Sequence, residues 1–232
     1  MRSFSSAFTW AEDQLVVLIA MHLRVHLHRL KEFVHALFYY YPRDLFFFID
    51  FTLFMLYFFQ SPYKVGKRFF KTEEHTYGET PLSTLDRIAK ESRLLSRDIV
   101  FELGSGSGRS CFWLASLVGC EVHGIECVPL FVERAEKIKG FFRLKKLFFH
   151  KEDFLKMDFK HATFIYLYGI CMKDGEIREL VKQLAHLSEG ARVATVSFPL
   201  TDYDENGLFK VDKQFPASFP WGKAEIFIHT KN

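Results

Sequence analysis

Ile99-Val100-Phe101-Glu102-Leu103-Gly104-Ser105-Gly106-Ser107-Gly108-Arg109 is the stretch from which the architecture can be read. Five mostly apolar residues predict a buried strand, and the glycines behind them predict a sharp turn into a helix over Ser110–Val118, stopped by Gly119. A strand that enters a helix through glycines lets a ligand approach the backbone and meet the free N–H groups of the first helical turn. The rhythm continues outward from there. Val122–Ile125 reads as a second strand closed by Glu126, and Pro129 opens a helix to about Lys139. Leu147–His150, Thr163–Tyr168 and Ala191–Phe198 read as further strands, with a helix over Glu176–Leu187 before the last. Strands alternating with helices predict an α/β fold with a parallel sheet. Leu208–Val211 and Ala224–His229 have a Pro-rich segment and no helix between them, which predicts an antiparallel hairpin closing a seven-stranded sheet.

Glu126 follows Gly108 by eighteen residues and ends the second strand, where a carboxylate accepts both hydroxyls of a ribose. The loop spacing is G-x-G-x-G, not the G-x-G-x-x-G that seats a dinucleotide pyrophosphate, and the acidic Glu102 stands two residues before Gly104. A carboxylate there suits a ligand carrying an ammonium better than one carrying a pyrophosphate, and S-adenosylmethionine is such a ligand. A nicotinamide-dependent oxidoreductase is the rival, disfavoured by the spacing, by Glu102 and by the closing hairpin.

With these residues in place, the segment 72–232 resembles the class I, seven-stranded, Rossmann-like S-adenosylmethionine-dependent methyltransferases. The resemblance rests on the 102–108 loop, on Gly124-Ile125-Glu126, on Glu152-Asp153-Phe154, on the strand ending Tyr166-Leu167-Tyr168-Gly169 and on the hairpin. It implies that Gly104, Ser105 and Gly106 wrap the methionine part of the cofactor, with Glu102 beside them. It also implies that Glu126 holds the ribose, and that Asp153 contacts the adenine amine with Phe154 beside the ring. Tyr77-Gly78-Glu79-Thr80-Pro81 is similar to a segment of the non-SET histone lysine methyltransferases that lies over the methionine end, which adds Tyr77 and Glu79 to the set. Phe198-Pro199-Leu200 and the hydrophobic N-terminal segment look more like membrane-anchored lysine methyltransferases of carrier and ATP-synthase subunits. The fourth strand departs from relatives that methylate planar amino groups. It lacks both their Asn-Pro-Pro-Tyr and the Asn-Asn pair of the histone enzymes, and Tyr168 stands in that place with two readings open, a wall for a flexible cationic amine or a packing aromatic.

The first 71 residues differ in character. They hold 13 of the 28 Phe and nine Lys/Arg against five Asp/Glu, so the extension carries +4 and the remainder −1 of the overall +3. A body near neutrality argues against nucleic acid as partner, and the basic aromatic extension points to a membrane surface or a protein. Val16, Ala20, Leu23, Leu27, Leu30, Val34 and Leu37 form one apolar helical stripe. His22 and His26 lie one turn apart beside it, but no third ligand accompanies them and no metal is expected. Leu45–Phe59 is apolar or aromatic except for Asp50 and Thr52, and Lys64, Lys67, Arg68 and Lys71 follow it. Three readings compete: a helix packed on the main domain, an interfacial helix pinned by the basic cluster, and a spanning anchor, for which fifteen residues are short. The four cysteines form no CxxC pair and read as reduced thiols in a cytoplasmic protein, peripheral on or anchored to a membrane. Arg109 is expected to face solvent, Trp113 the core and Trp221 a rim.

The expected activity is methyl transfer from S-adenosylmethionine to a protein lysine, with residues 1–71 as a helical extension and 72–232 as the cofactor-binding domain. Methylation of a small molecule or lipid, with the extension as a lid, is the alternative within the enzyme class. A non-catalytic cofactor-binding protein that works through its apolar arm is the alternative outside it. No catalytic base is singled out, because in-line positioning and desolvation of a neutral amine suffice.

Overall fold

A computed structural model describes Leu23, Leu27, His28 and residues 30–70 and 77–232. The histidine pair His22/His26 and the basic Lys71 lie outside the described residues. The chain runs through helices α1 (30–39), α2 (Phe46–Phe58), α3 (Pro62–Phe70) and α4 (Leu82–Glu91) before reaching strand β1 (Ile99–Leu103). Helix α5 (Arg109–Trp113), β2 (Glu121–Glu126), α6 (Pro129–Phe142), β3 (Leu147–Lys151) and β4 (Phe164–Leu167) follow. The last elements are α7 (Asp174–Leu184), β5 (Arg192–Val196), β6 (Phe209–Phe219) and β7 (Gly222–Lys231).

The seven strands form one sheet in the order β3-β2-β1-β4-β5-β7-β6. All neighbours from β3 to β5 are parallel, and β7 runs antiparallel to both β5 and β6. The order in which strands are added reverses between β1 and β4, so the crevice beyond the carboxyl ends of these parallel strands is a topological switch point. Alternation along each strand divides the core. Val100, Val122, Phe164 and Tyr166 pack with α4, α5, α6 and the N-terminal helices, while Phe101, Leu103, Ile165 and Leu167 pack with α7.

Two local readings change, and one of the three open readings of Leu45–Phe59 is the one found. The helix after the glycine loop is α-helical only to Trp113 and then widens into a π-helical turn over Leu114–Val118, ended by left-handed Gly119. The hairpin is far longer than its apolar segments suggested, because the Pro-rich segment is itself strand. Pro216 pairs with Glu225 inside β6, which is tolerated because β6 lies at the sheet edge, where a missing N–H goes unmissed. Last, α2 is packed on the domain. Phe46, Ile49, Asp50, Leu53 and Tyr57 are buried, and its apolar members join the same core as Trp113 and Phe131.

Candidate functional site

The parallel strands deliver their carboxyl ends to one edge, and the glycine turn folds back over it. The Gly104 and Ser105 N–H groups both donate to the Ile125 carbonyl at 2.9 Å, tying the loop to the end of β2. Gly104, Gly106 and Gly108 all have positive φ, and at Gly106 (φ 53°) an added Cβ would lie 2.6 Å from Tyr77 Cε2. Only glycine fits beneath that ring.

Glu126 is 7% exposed. Its Oε2 accepts the Gly106 N–H and its Oε1 the Val128 N–H, each at 2.8 Å. The Cys127 thiol also donates, weakly, to Oε1 at 3.6 Å, so with two lone pairs on each oxygen Oε2 retains an acceptor direction for a ligand hydroxyl and Oε1 gains one where a hydroxyl displaces the thiol. Burial raises the pKa of Glu126, the backbone hydrogen bonds opposing it. Asp153 caps the short turn Phe154–Lys156 by accepting the Leu155 N–H at 3.0 Å.

These residues surround a cavity of roughly 380 Å³, within the size range of small-molecule sites. Tyr77, Gly104, Gly106, Glu126, Asp153, Phe154 and Tyr168 line it. Glu79, Glu102 and Ser105 line an adjoining crevice, which Tyr77, Gly104 and Tyr168 also border. Strand alternation puts Glu102 on the same face as Val100, beneath α5, where it accepts from Cys111 Sγ at 2.9 Å and from the Ser110 hydroxyl. Burial without a cation pushes its pKa up to about 7, with the two hydrogen bonds pulling the other way. The Ser105 hydroxyl is buried without a hydrogen-bond partner.

Tyr77 forms a partition. Its hydroxyl donates to Glu79 and lies 3.0 Å from the Ser107 hydroxyl. Beyond it opens a second, aromatic cavity of about 790 Å³, bordered by Phe33, Phe47, Phe51, Phe54, Phe58 and Tyr63 with Asp50 and Arg109. Tyr168 accepts the Trp221 indole N–H at 2.8 Å, and Trp221 stacks on Phe219, so the hairpin tip forms an aromatic rim. Burial pushes the Cys127 and Cys120 thiols up to about 12, so neither provides a thiolate near neutral pH.

Arg109 does not face solvent as expected. Its Nε donates to Asp50 Oδ1 at 2.6 Å and its Nη2 to Oδ2 at 2.8 Å, while the Tyr41 hydroxyl donates to Oδ2 at 2.7 Å. Burial pushes the Asp50 carboxyl up, but the Arg109 guanidinium and the Tyr41 hydroxyl outweigh it and hold it below its usual range. Trp113 is core and Trp221 half-exposed, as expected. Sequence reasoning missed, among others, Gly66, Phe70, Val128, Phe131 and Ile170–Met172 of the cavity wall. Gly66 and Phe70 had no local signal, since they come from α3, outside the strand–loop–helix pattern. Among the described residues no cluster of three or more His, Cys, Asp or Glu side chains is placed to hold a metal ion.

The donor set suits S-adenosylmethionine: a glycine cradle, a buried carboxylate with free lone pairs, and a second carboxylate buried without a cation. The family model described as histone methylation protein DOT1 matches residues 63–196, more than half of the chain. Sterol 24-C-methyltransferase of Saccharomyces cerevisiae is 30% identical over 127 residues, 51% of this chain and 32% of that protein. The chain thus spans about a third of the length of that curated relative. The RNA methyltransferase from Salinibacter ruber, solved with S-adenosyl-L-homocysteine, superposes with a TM-score of 0.55 at 24% identity, covering 66% of this chain and 93% of that one. Magnesium protoporphyrin IX methyltransferase from Synechocystis PCC 6803, solved with S-adenosylmethionine, gives 0.57 at 14% identity, covering 78% and 97%. At those identities the likeness is one of fold.

Proposed function

The chain belongs to the DOT1 histone methylation protein family, a family of class I S-adenosylmethionine-dependent methyltransferases, and from that premise we propose that it methylates the side-chain amine of a protein lysine. One observation carries the choice of acceptor. Tyr77 and Tyr168 line the cavity, the Trp221 indole N–H donates to the Tyr168 hydroxyl, and Tyr168 follows β4 directly where a side-chain amide would grip a planar amino group. Aromatic faces attract a flexible cationic amine, and their exclusion of water favours the neutral, nucleophilic form.

In this reading S-adenosylmethionine, when bound, supplies a methyl group activated by its sulfonium. Glu126 holds the ribose hydroxyls, Asp153 and Phe154 the adenine, and Gly104 and Gly106 the methionine part. Ser105 fixes the loop through its backbone, and Tyr77 with Glu79 closes the methionine end. Glu102 faces the ammonium from beneath the loop. Tyr168 orients the incoming amine for an in-line approach. Residues 72–232 supply these named contacts. From the N-terminal segment, α2 shares the sheet's core and α3 adds Gly66 and Phe70 to the cavity wall.

The test is incubation of the protein and methyl-labelled S-adenosylmethionine with a total cell extract, followed by acid hydrolysis. Release of labelled methyl-lysine is expected. Label recovered only in nucleic acid overturns the acceptor. Label only in the organic extract supports a second reading, methylation of an apolar small molecule, which the aromatic cavity on the far side of Tyr77 favours.

A further inference from the structure

Helix α2 is built the wrong way round for a surface helix. Its one ionised side chain, Asp50, is inside, neutralised by Arg109, while its outward side is apolar. At about 100° per residue, Phe47, Phe48, Phe51, Phe54, Met55, Phe58 and Phe59 fall within an arc of about 140°. All of them are exposed, from 37% at Phe47 to 88% at Phe59. Residues 77–232 lack any such surface. Of 25 large hydrophobic side chains exposed among the described residues, 19 lie between Leu23 and Phe69, and six are scattered over residues 77–232. An apolar surface this continuous marks a docking site.

The neighbouring helix says what docks. Lys64, Lys67 and Arg68 are exposed on α3 together with Tyr63 and Phe69, directly after the apolar arc of α2. Aromatic and aliphatic side chains bordered by a basic cluster complement an anionic lipid interface, where headgroup charge lies just above acyl chains. Spanning is not available. The 13 residues of α2 reach about 20 Å against a hydrocarbon core of about 30 Å, and no helix among the described residues is long and apolar enough to cross a membrane. Leaving the domain to insert more deeply would strip Asp50 from Arg109 and put a charge in lipid.

We propose that α2 and α3 form a monotopic interface for an anionic lipid surface, α2 lying in the interfacial plane by its phenylalanine arc and α3 held to the headgroups by Lys64, Lys67 and Arg68. This rests on the fold alone and stands whichever acceptor is methylated. Because Gly66 and Phe70 of α3 also line the cofactor cavity, docking holds that cavity against the lipid surface.

Full-length protein is sedimented with sucrose-loaded vesicles of phosphatidylcholine alone or with 30% phosphatidylserine, at low and high salt, and its oligomeric state without lipid is read by light scattering. Sedimentation with the anionic vesicles is expected, at least tenfold stronger than with neutral ones and weakened by salt. Lys64→Glu with Arg68→Glu should abolish that preference. Phe48→Ser with Met55→Ser and Phe59→Ser should lose binding to both, with thermal unfolding unchanged or shifted upward, since these side chains are outside the core. A wild-type monomer that stays in the supernatant overturns the proposal, because the arc is then covered within the molecule. A dimer that does not bind lipid and that the serine variant dissociates also overturns it, because the arc is then a subunit contact.

Discussion

Two backbone N–H groups, from Gly106 and Val128, end on the Glu126 carboxylate, so that side chain both builds the loop and faces the ligand. Glu126→Ala should weaken S-adenosylmethionine binding by roughly tenfold to a few hundredfold in a calorimetric titration, for two lost bonds to a charged group. It should also cost about 1–3 kcal/mol of stability for the N–H groups left unpaired, an effect that sequence alone does not suggest for an acid at a strand end. Unchanged affinity would move the ribose elsewhere. Gly106→Val should abolish binding, since a side chain there meets the Tyr77 ring. Glu102 calls for a pH experiment. Its buried carboxyl titrates near about 7, and an ammonium brought beside it stabilises the charged form. Cofactor binding should therefore release a proton just below pH 7 and weaken by up to tenfold per unit as the pH falls further. Titration in buffers of different ionisation enthalpy measures the proton, and pH-independent affinity would separate Glu102 from the ammonium. Stability of the unliganded protein moves the other way. Its folded pKa lies above the unfolded 4.5, so the contribution is complete below 4.5 and is lost as pH rises through about 7. Glu102→Gln should thus raise Tm above pH 7.

Helix α2 and the first turn of α5 are joined by a single buried pair, and its worth depends on what breaks it. Asp50→Ala leaves the Arg109 guanidinium and the Tyr41 hydroxyl without their acceptor at a largely buried site, for which about 3–5 kcal/mol of destabilisation is expected in urea unfolding. Asp50→Leu combined with Arg109→Met should recover most of that, because no charge is left stranded. A loss below about 1 kcal/mol for Asp50→Ala would mean the pair behaves as a solvent-screened surface contact. The β6 edge shows the same dependence on surroundings. A proline that would disrupt a central strand sits in β6 because nothing pairs with its outer side.

For the molecule, the decisive quantity is how much core the N-terminal helices supply. Phe46, Ile49, Leu53 and Tyr57 are buried against the sheet domain, and at about 1.5–3 kcal/mol each their sum rivals the stability of an ordinary domain, about 5–15 kcal/mol. A chain beginning at Thr72 should therefore lose its cooperative thermal transition and bind hydrophobic dyes. A sharp transition within a few degrees of the full-length protein would show that the helices are only docked.

The sheet, its order of elements and the glycine loop were legible in the sequence because each depends on neighbours within a few residues: apolar runs of strand length, positive φ at glycines, an acid closing β2. Seven of the ten expected site residues border one cavity for the same reason, since parallel strands carry their carboxyl ends to a common edge. The direction of Arg109, the burial of Glu102 under α5 and the choice of which face of α2 turns inward depended on the tertiary structure. A helix apolar on every side has no periodic signal to say which side is core. That was decided by Asp50 finding Arg109 fifty-nine positions away.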